Sequence, residues 1–594
     1  MKEFKEIKRL LKQDVSGLPE VKVALLGDTA TQFLAMAIKG LGVERGYNIN
    51  LFEAEYNQVE RQVLDPTSDL HQFEAKYTVV FQSTHKLLEA FSLRVESRES
   101  RVESGVTSER VNGLTDERIS GLENERIQFI RTLCETTEGK VIYFNYPEID
   151  DTVFGQYANR TELSFTWQIR KLNYELMQLT QEYPNLFICD IAALQNKFGR
   201  DWMFDSSVYV STEMILSLDA LPYVASRVMD IICAIEGKFH KCLILDLDNT
   251  VWGGVVGDDG WENIQVGHGL GIGKAFTEFQ EWVKKLKNRG IIIAVCSKND
   301  EDKAKEPFEK NPEMVLRLDD IAVFVANWEN KADNIRTIQQ ILNIGFDSMV
   351  FLDDNPAERA IVRENIPAIC VPELPEDPGD YLEYLYSLNL FETASYSSGD
   401  KDRTKQYQTE AKRVQSAQKF TNEADFLKSL EMVSVVEGFT SFNTPRVAQL
   451  SQRSNQFNLR TVRYTDGEIA ALGASDKHAC FSFTLEDKFG DNGLICVVIL
   501  EKKDAETLFI DTWFMSCRVL KRGMENFTLN TIVAYAKEHG FKRIVGEYIP
   551  TLKNGMVKEH YPNLGFAAIA ENQWALDVES YEPRECYIVR KSEN

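Results

Sequence analysis

Four short apolar runs between residues 241 and 355 limit the fold more than any other feature. They are KCLILDLDNT (241–250), GIIIAVCSKND (290–300), IAVFVANW (321–328) and SMVFLDDN (348–355), and each ends in polar side chains. Unbroken apolar runs of this length suit strands buried on both faces. Helical stretches separate them, and strands alternating with helices build a doubly wound parallel sheet. In such a sheet, ligands bind outside the carboxyl ends of the strands. All four polar clusters fall at that edge.

The preceding segment repeats the alternation. VKVALLGD (21–28), INLFEAEY (49–56), YTVVFQS (77–83), KVIYFNYP (140–147) and LFICDI (186–191) read as strands, with helices at 31–46 and 160–183. The insert from Leu93 to Arg126 is dense in Glu, Arg, Ser and Gly, with a weak echo (ERVNGLTD, ERISGLEN). It reads as a solvated helix or a mobile lid. After PAICVPELPEDP (367–378), a polar stretch containing TASYSSGDKDRTKQY reads as a linker. From about Phe420, CFSFTLED, LICVVILEK, TLFIDTWFM and RIVGEYI with a helix at 523–538 suggest an α+β domain. The expected organisation is 1–237, 238–378, a connection over 379–419, and 420–594. It is multidomain α/β, with two doubly wound parallel-sheet units followed by the α+β domain.

Charge narrows the function. A net charge of −24 argues against nucleic acid or anionic membranes as partners. Any site for an anionic substrate must therefore be a local exception to the surrounding field. No apolar run approaches the ~18–20 residues of a membrane span. The start, MKEFKEIKRLLKQDVSG, has no apolar core of a signal peptide. Ten cysteines without a CxxC pair fit reduced thiols. A cytoplasmic protein is expected.

The chemistry lies at the four strand ends. Side chains alternate along a strand, so Asp246 and Asp248 leave one strand end on the same face, with Thr250 just beyond. One carboxylate can attack phosphorus, while its neighbour protonates the leaving oxygen and later activates water. Two anions facing a phosphate require a cation, and Mg²⁺ suits carboxylate oxygens. Ser297, with Asn299 two residues on, offers donors to a phosphate. Lys331 supplies positive charge, and Asp353 and Asp354 complete a metal site. The glycines of GHGLGIGKA (267–275) do not form a nucleotide loop, because His268 and Ala275 stand where a P-loop needs Gly and Ser or Thr.

DxDxT, a Ser, a Lys and an acidic pair in this order resemble the motifs of the haloacid-dehalogenase (HAD) superfamily phosphatases. More narrowly, DLDNTVWGGVVGDDG, CSKND, NWENKADNI and FLDDNPAER resemble its FkbH-like branch. The resemblance implies a HAD Rossmann-like unit with Asp246 as nucleophile, Asp248 as general acid/base, and Ser297 and Lys331 as phosphate binders. Mg²⁺ would be held by Asp246, the Asp248 carbonyl and one or both of Asp353 and Asp354. The gaps between motifs are too short for a large cap domain. Glyceryl-transferring members of the branch often carry Cys between the two motif aspartates. Leu247 stands there, with Cys296 as the nearby alternative.

The flanks carry further resemblances. VALLGDTATQFL (23–34) is similar to the first block of SGNH hydrolases, a flavodoxin-like fold, with Thr29 in place of the nucleophilic Ser. No His lies between Asp201 and Asp219, so no catalytic triad is expected, and Asn145 reads as an oxyanion-hole or a turn residue. The last segment resembles the Gcn5-related acyltransferases (GNAT). KNGMVKEHYPNLGF matches a late motif through Asn554, Tyr561, Gly565 and Phe566, and the resemblance implies Tyr561 as general acid. In CRVLKRGMEN (517–526), Arg518, Lys521, Arg522 and Gly523 stand where that family binds the CoA pyrophosphate. SNQFNLRTVRY (454–464) and DKFGDNG (487–493) are similar to the FkbH-like proteins.

The leading expectation is a Mg²⁺-dependent phosphatase or phosphotransferase. It would act on a phosphomonoester or acyl phosphate, as a phosphorylated small molecule or on a carrier protein. The alternative is an acyl (glyceryl-type) transferase using acyl-CoA or a phosphopantetheine thioester, with an acyl carrier protein or an amino sugar as acceptor. A non-catalytic assembly protein is the third reading.

Overall fold

Five parallel strands open the chain: β1 (Glu20–Gly27), β2 (Asn48–Glu53), β3 (Tyr77–Phe81), β4 (Lys140–Phe144) and β5 (Leu186–Cys189), in the spatial order β2-β1-β3-β4-β5. The computed structural model describes residues 2–591 apart from 56, 103–122, 397, 418–419, 517–518 and 552. The chain divides into two units, Met1–Cys233 and Ala234–Asn594. In the first, Ala24, Leu26, Val80, Val141 and Tyr143 pack against Phe165, Leu172 and Leu176 of the helix Phe165–Glu182. Ser164 caps that helix, its hydroxyl accepting from Trp167 N at 3.2 Å. The helix Thr84–Val102 covers the start of the charged insert, and residues 103–122 of it lie outside the described residues.

β1 runs into Asp28 and Thr29. Both Asp28 carboxylate oxygens accept from Ser83 N at 2.9 Å, and burial pushes the carboxyl up to about 7. The native state thus holds this proton more tightly than the unfolded chain. Its contribution is full near pH 4 and is lost as pH rises through 7. Urea denaturation should show wild type losing stability relative to Asp28→Asn over that interval, by about 1.4 kcal/mol per pH unit at most, and level beyond it. A difference independent of pH would contradict this. The hydroxyl of Thr29 is buried with no hydrogen-bond partner among the described residues, and His85 bonds instead with Arg200 at 2.9 Å. Asn145 Oδ1 accepts from Ile191 N and Ala192 N at 2.9 and 3.1 Å, so it fixes the start of the helix Ile191–Phe198. No Thr–His pair forms among the described residues.

The second unit begins with a four-stranded parallel sheet, β6 (Cys242–Leu245), β7 (Ile292–Ser297), β8 (Val323–Ala326) and β9 (Met349–Leu352), in the order β8-β7-β6-β9. Leu243, Leu245, Ile293 and Leu352 pack on Phe276, Phe279 and Val283 of the helix Ile272–Asn288. Ile244, Ile292, Ala294 and Phe351 face Ile335, Ile338 and Leu342 of the helix Lys331–Leu342. Both faces are covered, which is why the runs do not alternate.

A second sheet follows. It comprises β10 (Met432–Ser434), β11 (Val436–Glu437), β12 (His478–Asp487), β13 (Gly490–Lys502), β14 (Thr507–Met515), β15 (Arg543–Glu547), β16 (Ala567–Ala570), β17 (Gln573–Asp577) and β18 (Ile588–Arg590). The order is β16-β17-β15-β14-β13-β12-β10-β18, with β11 on β12. It is antiparallel except for the β14–β15 and β10–β18 pairs, and with its helices it forms the expected α+β architecture. β14 pairs with β15 from Thr507 to Ile510. Beyond it, Phe457 O and Leu459 N bond to Met515 N and Trp513 O at 3.1 and 3.2 Å. The stretch 379–419, expected as a linker or helical connection, is largely helical, Tyr381–Leu388 and Arg403–Ala417. It is packed into the unit through Tyr381, Leu385 and Tyr407. Among the described residues, no helix is long and apolar enough to cross a membrane.

Candidate active site

β6 is fully buried and delivers Asp246 and Asp248 beyond its carboxyl end. Leu247, between them, is 0% exposed and lies in the core, as alternation requires. Leu247 is therefore a packing residue in this chain. Cys296 is also buried, its thiol 3.7 Å from the Lys331 carbonyl and its pKa pushed well above the usual thiol range by burial. Neither position presents a thiolate for thioester chemistry.

Asp248 is held by three donors. Oδ1 accepts from Trp252 Nε1 at 2.9 Å and Val256 N at 3.0 Å, and Oδ2 accepts from Asn299 Nδ2 at 2.8 Å. Asn299 thus orients the second aspartate. The Thr250 hydroxyl accepts from Asp354 N at 3.1 Å, tying the turn after β6 to the turn after β9. Ser297 ends β7 and is buried there.

Lys331 opens the helix Lys331–Leu342 behind the cap residue Asn330, whose Oδ1 accepts from Ala332 N at 2.8 Å. Its ammonium lies 2.9 Å from Asp246 Oδ1 and 2.5 Å from Asp353 Oδ2. Burial opposes its charge, but the two carboxylates outweigh that and raise its pKa. Burial raises Asp246 against the pull of Lys331, and burial with the adjacent Asp246 pushes Asp353 up to about 6. Asp354 is raised by burial and by Asp353. Oxygens of Asp246, Asp353 and Asp354 lie within 4.8 Å of one another. Three carboxylates against one ammonium leave excess negative charge in a buried place. Hard oxygen donors with that excess fit a divalent cation.

Two supporting residues escaped the sequence reading. Arg359 Nη1 donates to the carbonyls of Asp353 and Asp354 at 2.8 and 2.7 Å and fixes the turn that carries both carboxylates. Tyr381 donates its hydroxyl to the Asn249 carbonyl at 3.2 Å. Arg359 lies inside FLDDNPAER, so its signal was its place four residues into the helix Pro356–Asn365, directly after the acidic pair. Arg359→Gln should lower kcat by ~10-fold or more, the order of one charge-assisted hydrogen-bond anchor lost. The check is a kcat measurement at saturating substrate and Mg²⁺ with circular dichroism unchanged; full activity would contradict the positioning role.

The candidates in the second sheet are placed differently from expectation. Arg522 is buried and paired with Glu410 and with Asp487, the latter at 3.4 Å, so its side chain is committed to an internal ion cluster and not to a phosphate. Asn554 is buried, accepting from Thr551 N at 2.7 Å and donating to the Asn458 and Ile549 carbonyls at 3.0 and 2.9 Å. Its role here is to hold loops. Tyr561 is 0% exposed and lies under Gly546, where a Cβ would stand 2.2 Å from the ring. Lys521, at φ +63°, and Gly523 border a cavity of about 330 Å³. Arg518 lies outside the described residues.

Residues 22–233 match the family model described as FkbH, N-terminal domain. No match is found among curated proteins. Among solved structures, the chain is similar to the N-terminal part of the protein BF1531 from Bacteroides fragilis, which contains a phosphatase domain and was solved complexed with Mg. The identity is 70% and the TM-score 0.62, covering 66% of this chain and 100% of that one. It also matches the ribosomal-protein-S18-alanine N-acetyltransferase of Escherichia coli at 12% identity and TM-score 0.20, over 25% of this chain and 94% of that one. Spermidine N-acetyltransferase from Vibrio cholerae, complexed with CoA and spermine, matches at 12% identity and TM-score 0.20, over 25% and 96%. At full coverage of a 70% identical relative, the chain belongs to the FkbH-like family of phosphatase-domain proteins.

Proposed function

We propose that the protein is a Mg²⁺-dependent phosphatase or phosphotransferase acting through a phosphoryl group on Asp246. The observation that carries this is the junction of Asp246, Lys331, Asp353 and Asp354 at the carboxyl edge of a parallel sheet, with Asp248 fixed beside them. Asp246, Asp353 and Asp354 would hold the cation, which when bound offsets charge on a phosphoryl group. Asp246 attacks phosphorus as the bond to the leaving oxygen breaks. Asp248 gives that oxygen its proton and then takes one from the water that cleaves the aspartyl phosphate. Among the described residues Asp248 Oδ2 accepts from Asn299 alone, which leaves a lone pair for this transfer. The sites named by sequence motif and the fold of the 70% identical relative support the same reading.

Asp248→Asn tests it through leaving-group dependence. Alkyl phosphate hydrolysis should fall by ~10²- to 10⁴-fold, and the first step on a nitrophenyl phosphate by much less, because a nitrophenolate departs without a proton. Equal losses on both would argue against Asp248 as the acid.

An acyl-transfer role for the second sheet, with an acyl-CoA or carrier-bound thioester, rests on its topology and on the cavity beside Lys521 and Gly523. Its test is an intact-mass search for an acylated acceptor with wild type and Tyr561→Phe. Acylation absent from both would remove it.

A further inference from the structure

Asp248 fixes where the alcohol part of a phosphate ester must lie. It gives the leaving oxygen its proton, so the rest of the leaving group extends past Asp248, between the turns that hold it. Those turns contribute Val256 N and Asn299 Nδ2. A Cβ on Gly257 would come within 3.6 Å of Asn299 Oδ1, so the turn after β6 stands close to the turn after β7. Asp300, next to Asn299, accepts from Trp328 Nε1 at 2.9 Å. That bond draws in the turn after β8, three residues before Lys331.

Trp328 is 71% exposed, yet it is held in place. Besides the bond to Asp300, Asn327 N donates to the Ser297 carbonyl at 3.2 Å and Glu329 N to Asn327 Oδ1 at 3.0 Å. Asn327 and Asn334 exchange amide hydrogen bonds at 3.1 and 2.7 Å. A large apolar ring is thus kept in water at the rim of the site, although burial would favour drawing it inward. The charge around it is of one sign. Asp258, Asp302 and Glu329 are exposed and form no ion pair among the described residues. The neighbouring lysines are matched already, Lys298 by Glu358 at 2.6 Å, Lys303 by Glu306 at 3.4 Å and Lys305 by Glu301. Lys331 is buried beside Asp246, so it serves the phosphoryl group and not the rim.

On the phosphatase reading above, on which this rests, we propose that the preferred substrates are phosphate esters whose alcohol part carries an amine or quaternary ammonium group, and that Trp328 selects them. The face of an indole attracts a cation more strongly than the other aromatic rings do, and the carboxylates around it act in the same direction. A leaving group with a second phosphate or a carboxylate would meet an acidic rim with no cation to receive it. Trp328 is thus a specificity residue: it touches the leaving group and takes no part in the transfer to Asp246.

The test is kcat/KM for phosphate release by the full chain with Mg²⁺ on two matched pairs. They are 2-aminoethyl phosphate against 2-hydroxyethyl phosphate, and glucosamine 6-phosphate against glucose 6-phosphate. The amine should be preferred ~5-fold or more in at least one pair, the order of one cation–ring contact. In Trp328→Ala that ratio should fall ~3-fold or more, with Trp328→Phe between Ala and wild type. A merely structural role would lower both rates and leave the ratio unchanged. Asp300→Ala, which frees the ring, should move the ratio the same way and serves if Trp328→Ala fails to fold. Acetyl phosphate, which carries no amine, reports the phosphoryl chemistry by itself. Its turnover without a preference for either amine, or a ratio unchanged in both Trp328→Ala and Asp300→Ala, overturns the proposal and leaves the phosphatase reading standing. No turnover of any of these compounds by wild type overturns both.

Discussion

Asp246→Asn will lower turnover of an aryl phosphate by about 10⁴-fold or more while leaving the protein folded. The amide cannot attack phosphorus, and removal of a hydrolase nucleophile costs at least this much. The substitution is near-isosteric, and in the absence of divalent cation it relieves repulsion. Asp246 shares a 4.8 Å cluster with Asp353 and Asp354, and burial already raises its pKa. Lys331 keeps Asp353 as a partner at 2.5 Å. In EDTA the variant should therefore be at least as stable as wild type. Steady-state kinetics and urea denaturation together check the pair of outcomes. Retained turnover would remove Asp246 from the chemistry, whereas lost turnover with an unfolded chain would contradict the stability half.

Lys331→Met has the next largest effect, on both stability and rate. It strips the ammonium from a buried cluster and leaves three carboxylates facing one another. Breaking one side of a buried pair costs about 3 kcal/mol or more. The carboxyls of Asp246 and Asp353 already have raised pKa values, and loss of Lys331 raises them further. A raised carboxyl contributes stability at low pH and loses it as pH climbs through the folded value. The deficit against wild type should thus grow from pH 4 to above pH 7, and added Mg²⁺ should reduce it. Turnover should fall by ~10²- to 10³-fold, the order of one lost electrostatic contact to the transition state. A deficit that shrinks as pH rises would contradict this electrostatic origin.

The parts of this molecule that were legible in sequence are those fixed by strand periodicity. Burial on both faces forces unbroken apolar runs, so β6 to β9 stand out. The two-residue period puts Asp246 and Asp248 together and sends Leu247 into the core. What was not legible depends on partners distant in the chain. Arg522 reads as a phosphate ligand until Glu410 and Asp487 are seen beside it. The helix Arg403–Ala417 reads as a linker because its composition is polar, yet Tyr407 is buried in the core and Arg413 pairs with Asp487 at 2.8 Å.

The most direct test is to trap the covalent phosphoryl group. With nitrophenyl phosphate and Mg²⁺, Asp248→Asn should still complete the first step and stall at the second, which needs a base. Intact-mass measurement on the quenched full chain should then show one added phosphoryl group, and peptide mapping should place it on Asp246. Nitrophenol release without a covalent phosphoryl group, or with one on any other residue, would contradict nucleophilic catalysis by Asp246.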